Sequence, residues 1–123
     1  MKRITEDYCS YDVAKLLKKK GFDECSRIKY CQISDNEIFA VENEQVTIDE
    51  VYIPTHQMAM KWLREVHKLF VDISFVKDED RVFWYYAIFE LSNDNEAHYN
   101  VDEFTTYEEA VDAALKYSLE NLI

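Results

Sequence analysis

The spacing of apolar residues along the chain predicts three helices and up to six strands. Apolar positions recur every three or four residues in segments 10–20, 55–70 and 106–123, which is the helical period. Apolar and polar positions alternate in segments 28–33, 37–42, 46–53, 71–76 and 82–91, which is the strand period, and a last strand is predicted over 97–104. The predicted order is therefore α-β-β-β-α-β-β-(β)-α.

The ends of these helices carry recognisable capping signals. Gly21 follows Lys18–Lys20, and a glycine in this place can take the left-handed conformation that closes a helix whose last turn is basic. Thr55 is the predicted N-cap of the second helix. Thr106 and Glu109 have the spacing of a capping box at the start of the third helix.

The segment 82–91 decides the predicted architecture, because both of its faces are apolar or aromatic. A strand of this kind is typical of the centre of a sheet that is covered on both sides. The sequence therefore predicts one α+β domain over residues 1–123, with an antiparallel sheet of five to six strands and three helices packed on it.

The charge of the chain limits the partners that it can bind. Asp and Glu number 25 against 14 Lys and Arg, and the formal net charge is −11. Such a surface repels phosphate backbones, so direct binding of nucleic acid is not expected and a protein partner with a basic surface is favoured. Neither a secretory signal nor a membrane span is predicted, and the three cysteines without CxxC spacing fit a reducing cytoplasm.

The motifs that usually indicate catalysis or cofactor binding are missing from the sequence. With one glycine and one proline, the chain cannot build phosphate-binding loops or nucleophile elbows. The three histidines are far apart, and the clustered carboxylates fall in predicted turns and at a helix N-terminus. We therefore expect no enzyme activity, no metal site and no cofactor from spacing alone.

One basic feature interrupts the acidic average. Lys61, Arg64 and Lys68 recur at helical spacing on the second helix, with His67 beside them, and we call these four residues the basic ridge. They could neutralise acids on the same surface and keep the helix soluble. They could also bind an anionic ligand such as a nucleotide, for which arginine is well suited. The sequence leaves both interpretations open.

Three segments of the chain carry a resemblance to known proteins. They are 8–17 (YCSYDVAKLL), 54–67 (PTHQMAMKWLREVH) and 106–123, which begins TYEEAV and ends YSLENLI. Together they resemble a group of small proteins of Bacteroides-type gut bacteria and their phages that has no assigned activity. The resemblance covers the three helices, implies a cytoplasmic context linked to phages or other mobile elements, and transfers no functional residue.

The function expected from the sequence is that of a non-enzymatic, acidic interaction protein that binds a host or phage protein, with self-association as a further expectation. Two alternatives remain open at this point. One is a small-anion or nucleotide-binding protein that uses the basic ridge. The other is a mimic of nucleic acid whose carboxylates occupy a basic protein.

Overall fold

The computed structural model describes residues 7–22, 28–34, 37–42, 50–92, 96–100 and 102–123. It contains three helices among these residues, as the sequence predicts. The elements in chain order are α1 (Tyr11–Lys19), β1 (Ile28–Ser34), β2 (Glu37–Glu42), β3 (Glu50–Ile53), α2 (His56–Val66), β4 (Leu69–Asp78), β5 (Arg81–Glu90), β6 (Ala97–Tyr99) and α3 (Tyr107–Asn121).

The α+β class is confirmed, but the prediction of a single sheet of five to six strands is wrong. The described strands form two separate three-stranded antiparallel sheets, in the orders β2-β1-β3 and β4-β5-β6. Alternation of apolar residues identifies a strand but does not identify its neighbour. β1 pairs with β2 and β3 on its two edges, and β5 pairs with β4 and β6. Neither central strand therefore has an edge left to pair with a strand of the other sheet.

The first sheet does not follow the order of its strands along the chain. β1 and β2 form a hairpin, but β3 returns to pair with the opposite edge of β1, with Ile28 opposite Ile53. The part of the third predicted strand at residues 46–49 lies outside the described residues. Val51 and Ile53 are buried, so β3 contributes to the core of the domain.

The second sheet is built on a long hairpin. β4 and β5 pair over ten residues each, from Leu69 opposite Glu90 to Asp78 opposite Arg81. Both strands extend beyond the predicted segments 71–76 and 82–91 at the turn, and only Glu79 and Asp80 lie between them. Glu79 takes a φ of 52° there, which suits the right-handed twist of a tight hairpin. The last predicted strand, 97–104, is reduced to β6 and an isolated bridge between Trp84 and Phe104.

The predicted N-caps and the glycine at the end of α1 are confirmed, but the carboxylate of Glu109 accepts from Thr105 Oγ1 and not from the Thr106 N–H that a full capping box would use. The Oγ1 atoms of Thr55 and Thr106 accept hydrogen bonds from the backbone N–H groups of Met58 and Glu109. At the end of α1, Gly21 has a φ of +100°, and its N–H donates to Lys18 O. The N–H of Phe22 donates to Leu17 O, which completes a Schellman motif and directs the buried Phe22 ring toward the core.

The core lies between the three helices and one face of the second sheet. α3 is its central element, because it contacts α1, α2, β4 and β5. Its inward residues are small or aliphatic and fully buried, which allows close approach to the sheet. They are Ala110, Val111, Ala114, Leu115, Ser118 and Leu119.

The two faces of the second sheet differ in their environment, which corrects the prediction that β5 is covered on both sides. The face that includes Val71, Tyr86 and Ile88, which we call the inner face, belongs to the buried core. The opposite, outer face is defined by register through the pairs Phe70–Phe89 and Val76–Phe83 and by Tyr99. None of these outer residues joins the core cluster of the described chain. β5 is central in its sheet, as predicted, but only one of its faces is buried by helices.

Replacing the single glycine tests the predicted helix end. Gly21→Ala is expected to lower the free energy of unfolding by roughly 1–2 kcal/mol, because an alanine resists the left-handed conformation. No atom lies within 4 Å of the position that a Cβ would take, so the loss is conformational and not steric. Urea denaturation measures it. Lys19→Ala, on the exposed side of α1, is the control, and equal stability of the two variants would contradict the prediction.

Candidate functional sites

The structure separates the residues of the basic ridge. Lys61 is exposed and Arg64 is half-buried on α2, but the helix ends at Val66, so His67 and Lys68 do not continue its face. Lys68 takes a φ of 57° in the two-residue connection to β4, and its Nζ donates to Glu65 O. The ridge therefore does not form the continuous helical face that spacing predicted, and its role in anion binding stays a prediction.

His67 is packed against the hydrophobic part of α2. Its ring lies edge-on to Trp62 with 4.6 Å between the ring centroids, and Trp62 in turn contacts Phe22. Nε2 of His67 is buried and has no hydrogen-bond partner among the described residues. Burial lowers the pKa of His67 below its ordinary value of 6.5, because the charged ring loses hydration. The side chain thus serves α2 packing and does not present a cation to solvent.

The outer face of the second sheet is an exposed aromatic surface. Phe70, Phe89 and Tyr99 form a row across all three strands, with ring centroids 6.5 Å and 6.2 Å apart. Phe70 is 39% exposed and Tyr99 68%. Toward the hairpin turn, Val76 is 50% exposed and the Phe83 ring is half-buried. Packing inside the domain therefore does not use up the aromatic residues of this face.

Carboxylates outnumber cations around the aromatic surface. Asp72 lies on the face itself, opposite Ala87, and Asp78, Glu79 and Asp80 are exposed at the hairpin end. Arg81 is the single cation at an outer-face position of the described strands β4, β5 and β6, and its guanidinium lies 4.5 Å above the Phe83 ring. The surface therefore has an apolar cluster at each end of the hairpin, with Asp72 between the two clusters and further carboxylates at the turn.

A second candidate site lies on the helical side of the molecule. Cys9, His56 and Asp112 each offer one ligand-type atom, and these atoms all lie within 4.8 Å of one another. Nε2 of His56 is 3.3 Å from Oδ1 of Asp112. Cys9 and His56 are buried, whereas the Asp112 side chain is 27% exposed. We call these three residues the Cys-His-Asp cluster.

The backbone around the cluster is held by hydrogen bonds between distant segments. Cys9 N donates to Pro54 O at 3.0 Å and His56 N donates to Asp7 O at 2.9 Å, on either side of a bridge between Tyr8 and Thr55. The thiol of Cys9 donates to Thr55 O at 3.9 Å. The segment before α1 is therefore aligned with the start of α2, which brings residues 9 and 56 together.

Asp112 joins this pair to α3. Its Oδ1 accepts the backbone N–H of Ser10 at 3.0 Å and also contacts His56. Burial raises the pKa of Asp112, but the hydrogen bonds from His56 and Ser10 outweigh it and leave the pKa below its ordinary value. Burial, together with the negative charge of Asp112, raises the pKa of the Cys9 thiol well above its usual range. A protonated thiol is a poor nucleophile, so the cluster does not resemble an activated cysteine site.

The cluster opens on one side into a pocket of about 500 Å³. Tyr8 and Phe104 supply apolar walls, and Glu108 and Lys116 from α3 supply charged groups. A pocket of this volume is within the range of small-molecule sites. None of the residues of the basic ridge lines it.

A further group of titratable residues lies at the end of the second sheet that is away from the β4–β5 turn. Glu90, Glu96 and His98 have ligand-type atoms within 4.8 Å of one another, and Nε2 of His98 is 3.0 Å from Oε2 of Glu90. A side-chain hydrogen bond with Glu96 and another with His98 lower the pKa of Glu90, while the same carboxyl contact raises the pKa of Glu96. The hydrogen bonds of Glu90 with Glu96 and with His98 explain the proximity of these side chains without any ligand.

Spacing missed the Cys-His-Asp cluster because 47 residues separate Cys9 from His56 and 56 separate His56 from Asp112. The sequence does carry one signal for the cluster, which is the position of two of its residues next to helix N-caps. Cys9 comes directly before the N-cap Ser10, and His56 directly follows the N-cap Thr55. Residues beside N-caps have well-defined backbone directions, yet the sequence does not show that two such helix starts lie side by side.

Comparison of the chain with protein-family models, curated proteins and solved structures found no match. The resemblance of the three helices therefore stays a prediction. Within the described part of the chain, no helix combines the length and the apolar character needed to cross a membrane.

The lowered pKa of His67 predicts a pH dependence of stability. The folded chain binds a proton at His67 more weakly than the unfolded chain, whose value is 6.5. Above about pH 7 the ring is neutral in both states, and the free energy of unfolding has its full value. It decreases as the pH falls through 6.5 toward the lower pKa of His67 in the folded chain. We expect urea denaturation at about pH 7.5 and pH 5.5 to show a smaller loss for His67→Gln than for the wild type. An unchanged loss would contradict this assignment.

Removal of the Asp112 carboxylate is expected to destabilise the fold. Asp112→Ala loses the hydrogen bond from Ser10 N–H and the contact with His56, and leaves these partly buried groups unpaired. Hydrogen bonds to charged groups contribute about 1.5–3 kcal/mol, which is the loss expected in the free energy of unfolding. Glu120→Ala, an exposed carboxylate on the same helix, is expected to change it by less than about 0.5 kcal/mol. Comparable losses in the two variants would show that Asp112 has no special role.

Proposed function

We propose that the protein is a non-enzymatic interaction protein that binds a basic, apolar segment of another protein on the outer face of its second sheet. The observation that carries the proposal is the aromatic row of Phe70, Phe89 and Tyr99, which spans three strands and stays partly exposed. Exposed apolar patches of this kind usually mark interaction sites on monomeric proteins.

The composition of the face supports a protein partner. Aromatic residues supply large contact areas with few rotatable bonds, and they are enriched where partners bind. A platform for nucleic-acid bases would combine aromatics with several cations, whereas Arg81 is the single cation at an outer-face position of the described strands. The aromatic face therefore fits a peptide or protein surface better than a single-stranded nucleic acid.

The free edge of β4 supplies a second element of recognition. β4 is the terminal strand of its sheet and runs for ten residues, and no described strand pairs with its outer edge. An extended partner segment can add to such an edge through backbone hydrogen bonds. Its alternate side chains would then lie next to Phe70 and Val76 on the outer face, which links edge pairing to contact with the aromatic row.

Charge defines the chemistry of the partner. Asp72 lies on the face, and the turn residues Asp78, Glu79 and Asp80 lie at its end, so lysine or arginine in the bound segment would meet carboxylates. The net charge of −11 acts in the same direction over longer distances and opposes association of two copies of the chain. A basic partner is therefore preferred to self-association.

Selection of peptides from a random displayed library tests the proposal. We expect the purified chain to enrich peptides that combine lysine or arginine with apolar residues, and their binding to weaken as salt rises. The double variant Phe70→Ser/Tyr99→Ser is expected to lose at least tenfold in affinity, because it interrupts the aromatic row at both edges. Fluorescence polarisation of labelled peptides gives the affinities.

Met58→Ser/Val66→Ser is the matched control. It removes two apolar side chains that are exposed to similar degrees, 46% and 57%, but lie on α2. Enriched peptides that bind the outer-face variant as tightly as the wild type would refute the proposal, as would a failure to enrich any peptide. Sedimentation of both variants separates self-association, which would appear as a dimer that only the outer-face change dissociates.

A further inference from the structure

We infer that the Cys-His-Asp cluster is a zinc site, in which Cys9, His56 and Asp112 bind one Zn²⁺ ion and the adjoining pocket leaves its fourth position open. The inference rests on residues that the proposed function does not use. Thiolate, imidazole and carboxylate are the three kinds of protein ligand that zinc takes. Here one of each converges from three separate elements of the fold.

The distances in the cluster suit a tetrahedral ion. With zinc bonds of about 2.0–2.1 Å to nitrogen and oxygen, two ligand atoms on one ion lie about 3.3 Å apart. Nε2 of His56 and Oδ1 of Asp112 are 3.3 Å apart. Ligand atoms of the whole cluster lie within 4.8 Å, so side-chain movements of about 1 Å would bring the Cys9 sulfur to its distance of about 2.3 Å from the ion.

The ligands are held in place by contacts that do not involve the ion. The backbone of Cys9 is bonded to Pro54, and that of His56 to Asp7. Asp112 is oriented by the N–H of Ser10, which is a hydrogen bond of the type that fixes metal-binding carboxylates. A site whose backbone is already fixed loses little conformational freedom when the ion enters, and this favours tight binding.

The kind of ion follows from the donors. Calcium and magnesium require several oxygen ligands, and the cluster offers a single carboxylate. Sulfur and nitrogen favour zinc among the available divalent ions, and the burial of Cys9 at 1% and His56 at 6% protects the donors from solvent. When the sulfur–zinc bond forms, the thiol gives up its proton to solvent, so the ligand set carries two negative charges against two positive charges on the ion.

The open side of the cluster distinguishes it from a structural zinc site. Structural sites have four protein ligands, whereas sites that bind a water or a small ligand have three. The pocket that adjoins the cluster is about 500 Å³ in volume, and Lys116 lies on its wall. Glu108 and Glu109 line the same pocket and offset the charge of the lysine, so a water molecule is the expected fourth ligand.

Titration of the full chain with Co²⁺ and Zn²⁺ tests the site, after reduction and removal of metal with a chelator. We expect one Co²⁺ per chain, with the absorption band of thiolate-to-cobalt charge transfer, and full displacement of that band by Zn²⁺. Cys9→Ser is expected to abolish the band. His56→Gln and Asp112→Asn are expected to weaken binding at least tenfold, and zinc is expected to raise the unfolding temperature of the wild type but not that of Cys9→Ser.

Two control variants identify the residues responsible. Cys25→Ser/Cys31→Ser removes the other thiols and should keep the band. His98→Ala disrupts the Glu90–Glu96–His98 group and should also leave binding unchanged. Circular dichroism without metal checks that each variant folds. If Cys9→Ser does not fold, His56→Gln and Asp112→Asn decide the matter, because unchanged affinity in both overturns the inference. Absence of stoichiometric binding, or a band that survives in Cys9→Ser and disappears in the control variants, overturns it as well.

Discussion

The packing of α2 and α3 on one face of the second sheet, with α1 packed on α3, is the constraint on which the rest of the structure depends. α3 makes this arrangement possible, because its alanines and Ser118 let the helix lie close to β4 and β5 while still contacting α1 and α2. The Oγ of Ser118 donates a hydrogen bond to Ala114 O within the helix, so this polar side chain can stay fully buried. A bulkier residue at Ala110 or Ala114 would push the helix away from the sheet and separate α1 from α2.

The same arrangement explains why an aromatic strand ends with one exposed face. β5 has enough apolar residues to be buried on both sides, but the helices use only the face of Tyr86 and Ile88. The residues of the other face contact one another across strands, as the Phe70, Phe89 and Tyr99 rings do, and this lowers their exposure without a covering layer. A surface that is already ordered by such contacts loses little freedom on binding, which is an advantage for an interaction site.

The parts of the fold that sequence predicted are those that depend on neighbours in the chain. Thr55, Thr106 and Gly21 fix helix ends through bonds to residues at most five positions away, so local patterns were sufficient. Strand pairing depends on contacts between distant segments, and no local signal showed that β3 joins β1 or that the strands divide into two sheets. Burial of β5 was predicted from its composition, which identifies apolar faces but not what covers them.

The Cys-His-Asp cluster shows why a candidate site of this kind escapes sequence analysis. Its members are ordinary when considered one at a time: a cysteine before a helix, a histidine in a first turn and an aspartate on a helix. They meet because the start of α1 and the start of α2 are tied by the bridge between Tyr8 and Thr55, and because α3 contacts both helices.

The backbone hydrogen bonds that align these two helix starts would be needed for the fold alone. These hydrogen bonds do not require a thiol, an imidazole and a carboxylate at positions 9, 56 and 112. Apolar residues would fill the same positions without the cost of burying a histidine next to a carboxylate. The combination of a thiol, an imidazole and a carboxylate at a pocket is therefore better explained by a ligand than by packing.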